Sequence, residues 1–262
     1  MRGLSLSLRA LVCATVAGGA LALAAGPAAA STSSNWAGYV VSAPGASFSD
    51  IKGTWIEPTA NCTGTTAASA FWIGLGGAAQ SSAGLEQIGS SADCQSGRPS
   101  YYAWYEILPA ASVTLPVRIS PGDTISAEFA ANDITFIFTL SDVTTGETYS
   151  TTTTVDNPAV DSAEWIAEAP SICASKCRIL PLANFGSVGF SAASATADTH
   201  TGTISDSLWT SDTVRLASRS VVQALPSSLS DDGASFTVEW RSAGLTPPLT
   251  KPRARRPRPH RR

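Results

Sequence analysis

A large antiparallel β-sandwich is the all-β fold class this sequence predicts, and three observations carry it. Apolar and polar residues alternate with period two in several stretches, turn-forming residues separate those stretches, and no segment has the 3.6-residue period of a long amphipathic helix. About 210 residues, from Ser31 to Ala243, run without a charge block or low-complexity linker, so one domain over 31–243 is expected.

The chain opens on a segment that does not belong to that domain. Arg2 and Arg9 supply a positive start, Ala10 to Leu23 an apolar stretch, and Ala28-Ala29-Ala30 a small-residue cleavage site, so residues 1–30 read as a signal peptide and the protein as secreted, extracellular. No later segment approaches the roughly 20 continuous apolar residues of a spanning helix, and no membrane span is expected.

Within the domain the alternation is explicit. Ile125, Ala127 and Phe129 alternate with Ser126 and Glu128; Ile134, Phe136, Phe138 and Leu140 alternate with Thr135 and Thr139. Thr148 to Val155 is rich in threonine, a strand former, and Phe236, Val238 and Trp240 alternate with Thr237 and Glu239. Pro121-Gly122-Asp123, Asn132-Asp133, Thr145-Gly146 and Asp231-Asp232-Gly233 mark the turns. After Pro247-Pro248 the chain ends in a Pro/Arg-rich segment with no apolar anchor, so 244–262 is expected to be a disordered basic tail able to contact anionic surfaces.

Charge and cysteine usage exclude several classes. That tail holds seven of the 17 basic residues and the leader two, leaving eight against 20 acidic residues in the body, a balance of −12. An acidic body argues against nucleic acid as partner and suits a protein that works in acid, where protonation relieves self-repulsion. Cys13 leaves with the leader; Cys62, Cys94, Cys173 and Cys177 remain, an even set that predicts two disulfides between sequence neighbours, Cys62 to Cys94 and Cys173 to Cys177. A four-thiolate zinc site is the alternative, weakened by having one closely spaced pair and an oxidising compartment.

Candidate chemistry narrows by elimination. The body has one histidine, His200, in a polar loop, and no Gly-x-Ser-x-Gly elbow, so a Ser-His-Asp triad is not supported. Histidine-rich zinc catalysis fails on count, no calcium loop of the required spacing occurs, and neither metal nor other cofactor is expected. Carboxylate chemistry remains. In Ala-Glu-Trp-Ile-Ala-Glu (163–168), Glu164 and Glu168 stand four apart in a segment that otherwise reads as buried strand, and a carboxylate beside indole and aliphatic groups has its pKa raised by desolvation, as general acids and bases need. The plain alternative is a strand whose glutamates point to water.

Further dense segments are Ser33-Ser34-Asn35-Trp36-Ala37-Gly38, Phe-Trp-Ile-Gly-Leu-Gly-Gly at 71–77, Leu-Glu-Gln-Ile-Gly at 85–89, Ala-Trp-Tyr-Glu at 103–106 and Ala183-Asn184-Phe185-Gly186-Ser187-Val188. Together with 163–168 they resemble the glutamic peptidases, also called eqolisins, over most of the domain. The resemblance implies a two-sheet antiparallel sandwich, endopeptidase activity on protein or peptide substrates in acid, a catalytic glutamine at Gln87 and a catalytic glutamate at Glu168. It places cleft-lining residues at Trp36, Trp72, Trp104 and Glu106, while Glu164 matches the first acid of its motif and is not the expected catalyst. One departure stands out: Gly76 occupies a position where the family commonly has Asp. A monomer is expected.

Two other readings share these residues. Some jelly-roll β-glucanases use glutamates four apart on one strand, but such a pair in an extended strand is about 13 Å apart against the roughly 5 to 5.5 Å of a retaining pair, so a bulge or a different partner such as Glu106 would be required. A non-catalytic carbohydrate-binding sandwich would use Trp36, Trp72 and Trp104 as stacking platforms.

Overall fold

The computed structural model describes residues 30–78, 84–173 and 177–244. But for residues 30 and 244, the expected leader and basic tail lie outside the described residues. Among the described residues eighteen strands follow in order: β1 (Ser31–Ser33), β2 (Trp36–Ser42), β3 (Phe48–Ile56), β4 (Ala70–Leu75), β5 (Glu86–Gln95), β6 (Arg98–Ile107), β7 (Val113–Thr114), β8 (Thr124–Asn132) and β9 (Thr135–Asp142). They continue with β10 (Glu147–Thr154), β11 (Ser162–Glu168), β12 (Ser171–Cys173), β13 (Cys177–Ile179), β14 (Ser187–Ala197), β15 (His200–Thr203), β16 (Thr210–Ser218), β17 (Val221–Pro226) and β18 (Phe236–Trp240). No helix occurs among the described residues.

One hydrogen-bonded path links most of them, in the order β10-β9-β8-β3-β14-β18-β17-β16-β2-β11-β4-β5-β6-β7. The path turns back on itself, so that β9, β8, β3 and β14 pack on β5, β4 and β11. Aromatic side chains fill the space between. Phe129 and Phe138 stack at 4.4 Å, Phe190 and Phe236 at 5.0 Å, and Tyr105 of β6 lies on Phe138 of β9 at 5.2 Å. Two indoles stitch the layers: Trp165 of β11 donates to the Lys52 carbonyl of β3 at 2.7 Å, and Trp55 of β3 donates to the Ser90 hydroxyl of β5 at 2.9 Å. Rings of this size bury large apolar areas, and each polar handle finds a partner, which makes them suitable rivets between layers.

The sandwich predicted from alternation is thus the architecture found. Ile125, Ala127, Phe129, Phe136, Phe138 and Leu140 all point inward and are buried. Ile134 does not: it sits in the turn before β9 and is 42% exposed, because the strand's pleat begins only at Thr135. Both disulfides have the expected partners, Cys62 with Cys94 and Cys173 with Cys177, which consumes the thiolates a zinc site would have needed. The first, with a sequence separation of 32, ties the segment after β3 to the end of β5 and constrains the unfolded chain by roughly 3 to 4 kcal/mol.

Candidate active site

Register puts the candidate residues on one face. Residues directly opposite in antiparallel strands project to the same side. In the row nearest one end of the sheet, Glu164 of β11 is opposite Gly74 of β4, Gly74 opposite Gln87 of β5, and Gln87 opposite Glu106 of β6. The next row is Ile166, Trp72, Gly89 and Trp104; the one after is Glu168, Ala70, Ser91 and Tyr102. Trp36 of β2 stands opposite Glu168. This face carries an apolar cluster of its own, with Val40, Ala70, Trp72, Trp104, Ile166 and Val214, apart from the main core on the other side.

A glycine makes the floor of this face possible. A Cβ on Gly89 would stand 2.2 Å from the Phe71 carbonyl oxygen and 2.6 Å from the Trp72 Cβ, so only glycine lets β4 and Trp72 come this close between the two tryptophans of the row. Trp72 is fully buried and Trp104 nearly so, and their N–H groups are committed, Trp104 to the Ser91 hydroxyl at 2.9 Å. They lie beneath the face; of the three expected tryptophans, Trp36 alone retains appreciable exposure, its ring edge-on to Trp72 at 5.1 Å.

Glu168 is held by two donors. Asn35 Nδ2 reaches its Oε1 at 2.9 Å and Trp72 Nε1 its Oε2 at 2.8 Å. Asn35 is itself oriented: the Ser33 hydroxyl donates to its Oδ1 at 3.2 Å, and its backbone carbonyl accepts from Ala169 N–H at 2.8 Å. Burial pushes the Glu168 pKa up to about 7, the Asn35 and Trp72 hydrogen bonds oppose that rise, and the nearby Glu106 charge adds to it. Glu168 is only partly buried as a residue, unlike Glu164.

Gln87 is buried. Its Nε2 donates to Glu106 Oε2 at 2.7 Å, and its Oε1 has no hydrogen-bond partner among the described residues. Desolvation raises the Glu106 pKa against the hydrogen bond from Gln87. Trp72 connects the two candidates: its N–H holds Glu168, while its benzo edge lies beside Gly74, the residue against which the Gln87 Cβ also packs.

Glu164 does not point to water. It is fully buried, neither oxygen has a hydrogen-bond partner among the described residues, and desolvation raises its pKa well above the ordinary carboxylate range. β11 pairs with β2 and β4 without a register shift, so no bulge brings Glu164 to Glu168 as a paired-glutamate glycosidase would require. The burial of Trp72 and Trp104 likewise removes two of the three platforms a carbohydrate-binding face would use. His200 lies on β15, bonded to Asp206 at 2.8 Å and set against Trp209.

Sequence reasoning passed over three groups. Asn35 lay within a quoted segment without a role, and its spacing from Trp36 was the available signal. Glu57 and Glu86, both nearly inaccessible, have pKa values pushed up to about 7 by burial; Glu57 receives the Ser90 hydroxyl inside the sandwich. At Gly76, with φ +80°, a Cβ would stand 2.4 Å from the Ala159 carbonyl oxygen, so the segment around Ala159 fills the room an aspartate would need.

The all-β sandwich thus gathers a glutamate and a glutamine, Glu168 and Gln87, on one sheet face. The chain belongs to the peptidase A4 family, whose sequence model matches residues 34–240. Among solved structures it is similar to scytalido-glutamic peptidase bound to a transition state analog inhibitor, at 26% identity and TM-score 0.69 over 79% of this chain and 98% of that one. It is also similar to aspergilloglutamic peptidase from Aspergillus niger, at 26% identity and TM-score 0.58 over 67% of this chain and 99% of that one. A further structure, SCP-B of the eqolisin family in complex with the tripeptide Ala-Ile-His, shares the fold at 24% identity and TM-score 0.66. No curated protein sequence matches the chain. The protein is a peptide-bond hydrolase of the glutamic class, and no helix among its described residues is long and apolar enough to cross a membrane.

Proposed function

We propose that the protein is a secreted endopeptidase in which Glu168 is general base and then general acid, and Gln87 is the oxyanion donor. The observation that carries this reading is Glu168 itself, a carboxylate accepting one N–H on each oxygen, on the same sheet face as Gln87. Both of its bonds favour the ionised form, which is the form a base needs. Glu168 takes a proton from water, the water oxygen bonds to the scissile carbonyl carbon, and the carbonyl oxygen becomes anionic. One N–H of Gln87 Nε2 is engaged by Glu106, and the second is free for that oxyanion. Protonated Glu168 then gives its proton to the leaving nitrogen, the C–N bond breaks, and acid and amine depart.

Trp36 and Glu106 have the exposure to meet a peptide chain, while Trp72 and Trp104 support it from below. The residue type alone suggests an optimum near or below pH 5; burial raises the Glu168 pKa to about 7, which moves the acid limb of a general-base profile toward neutral pH. The domain of 31–243, the leader and the basic tail are retained in this reading as a secreted, monomeric enzyme with a solvated basic tail able to contact anionic surfaces. Incubating the purified protein with unfolded casein from pH 2 to 8, with products identified by mass spectrometry, tests it. Internal cleavage lost in a folded Glu168→Gln variant is the expected result; equal cleavage by that variant overturns the mechanism.

A further inference from the structure

The apolar cluster of the candidate face keeps most of its members out of reach, Trp72 and Trp104 among them. Among the described residues, the rings packed on it that stay partly exposed are Trp36 and Tyr102. Trp36 is one of the expected cleft residues; Tyr102 is a ring with no role assigned. Both stand in the row of Glu168, which runs Trp36 on β2, Glu168 on β11, Ala70 on β4, Ser91 on β5 and Tyr102 on β6. Between the carboxylate and the tyrosine there are therefore only two small side chains, both buried.

Tyr102 is held in place. Its hydroxyl donates to Asp93 Oδ2 at 2.9 Å, and Asp93 projects from β5, so the bond draws the ring from β6 toward β5 and the middle of the face. Burial and the Asp93 charge push the phenol pKa up to about 12, and the O–H stays a donor. Ser91, next to it, is already engaged by the Trp104 N–H. With the hydroxyl spent, the ring is what Tyr102 offers to a ligand, and a ring fixed at both ends loses little entropy on contact.

Its place relative to the reacting pair follows from register. Glu168 and Gln87 are two strands and two rows apart, with Trp72 midway between them. A carbonyl that meets both lies over Trp72, and an extended chain passing between the two crosses the face toward Tyr102 on one side and Val40 on the other. With strands about 4.8 Å apart and alternate residues about 6.7 Å apart, the Tyr102 Cα is about 12 Å from that midpoint, three to four extended residues, and the lean of the ring shortens the gap.

We propose that Tyr102, pinned by Asp93, is a specificity-determining residue whose ring walls a subsite for a large apolar side chain, aromatic or branched aliphatic, two or three residues from the cleaved bond. The inference rests on Glu168 and Gln87 being the reacting pair, and its test has a readout that does not need cleavage.

Peptides are taken from the casein sites that the parent cuts and made in pairs, with phenylalanine or alanine two or three residues from the cut bond. For Tyr102→Ala, kcat/KM on the phenylalanine peptide should fall by about 10-fold, mostly through KM, and on the alanine peptide by less than about 2-fold. Tyr102→Phe, which restores the ring, should recover most of the preference, and Asp93→Ala, which frees the hydroxyl, should weaken it by about 3-fold. Should Tyr102→Ala fail to fold, Tyr102→Thr, a strand former without a ring, decides in its place. Equal loss on both peptides, or an unchanged preference, overturns the proposal. So does a preference for lysine or arginine at that position that disappears in Asp93→Ala, since the carboxylate and not the ring would then be the determinant. Binding of the same pair to Glu168→Gln protein, followed by calorimetry with and without Tyr102→Ala, should show the same 10-fold selectivity and its loss, about 1.4 kcal/mol. Cleavage that persists in Glu168→Gln would remove the catalytic reading alone, because the selectivity of binding is measured apart from it.

Discussion

The two ends of β11 carry the same side chain on the same face and treat it in opposite ways. Glu168 is partly buried as a residue, with an N–H on each oxygen; Glu164, four residues earlier, is sealed away and has none among the described residues. Both pKa values are raised by burial, but only Glu168 has hydrogen bonds of resolved geometry pulling the other way. A strand of period two delivers two glutamates to one face and cannot by itself make them different. The neighbours do that: Asn35 and Trp72 at one end, Gly74 and the closed segment near Ala159 at the other.

The largest test of this contrast is Glu168→Gln, which keeps size and both N–H partners within reach while removing the proton acceptor. Peptide hydrolysis should fall by ~10⁴-fold or more with Tm changed little, measured on casein and by thermal melting. Gln87→Ala should cost on the order of 10²-fold in kcat, the loss of one oxyanion donor, and a change under about 3-fold would remove Gln87 from the mechanism.

Asn35→Ala strips one donor from Glu168 and so makes its end of the strand more like that of Glu164. Activity should drop roughly 10-fold, and the acid limb of kcat/KM should move to higher pH, because an N–H that favours the ionised form has gone. An unmoved limb would mean that Glu168 does not set it.

Stability tests the sealed acids. Glu57, Glu86 and Glu164 all have folded-state pKa values above the unfolded value of about 4.5, so below that value both states are protonated and none costs anything. As pH rises from about 4.5 to 7 the unfolded chain releases protons that the fold retains, and stability declines by about 2 to 3 kcal/mol for each group raised to about 7. Tm should therefore fall by ~10 °C or more between pH 4.5 and 7.5, and Glu57→Gln, whose amide does not titrate, should flatten part of that slope. A Tm that rises over this range contradicts the assignment of these acids as buried and neutral. The smallest effect belongs to Glu164→Gln: kcat within about 3-fold, with Tm gained above about pH 5.

Some of this was readable from the residues. Phe129, Phe136 and Phe138 announced their inward face by alternation, Cys62 and Cys94 their pairing by order along the chain, and 163–168 its burial by the company of Trp165 and Ile166. Ile134 was misread because a turn and a strand share the same letters at their junction. Glu57 was invisible, since its partner Ser90 is 33 residues away on another strand.

What the sequence by itself determined is therefore local and periodic: strand type, inward faces, the count of cysteines, and which residue types are present to do chemistry. Only the tertiary structure decided which of two equal glutamates became an accepted carboxylate, that Trp72 and Trp104 lie beneath the face while Trp36 stays partly open, and that an aspartate has no room at Gly76. The physical reason is that pKa, donor supply and exposure are set by neighbours across strands, and those neighbours, Asn35 with Glu168 at a separation of 133 residues or Trp72 with Glu168 at 96, are brought together only when the layers close.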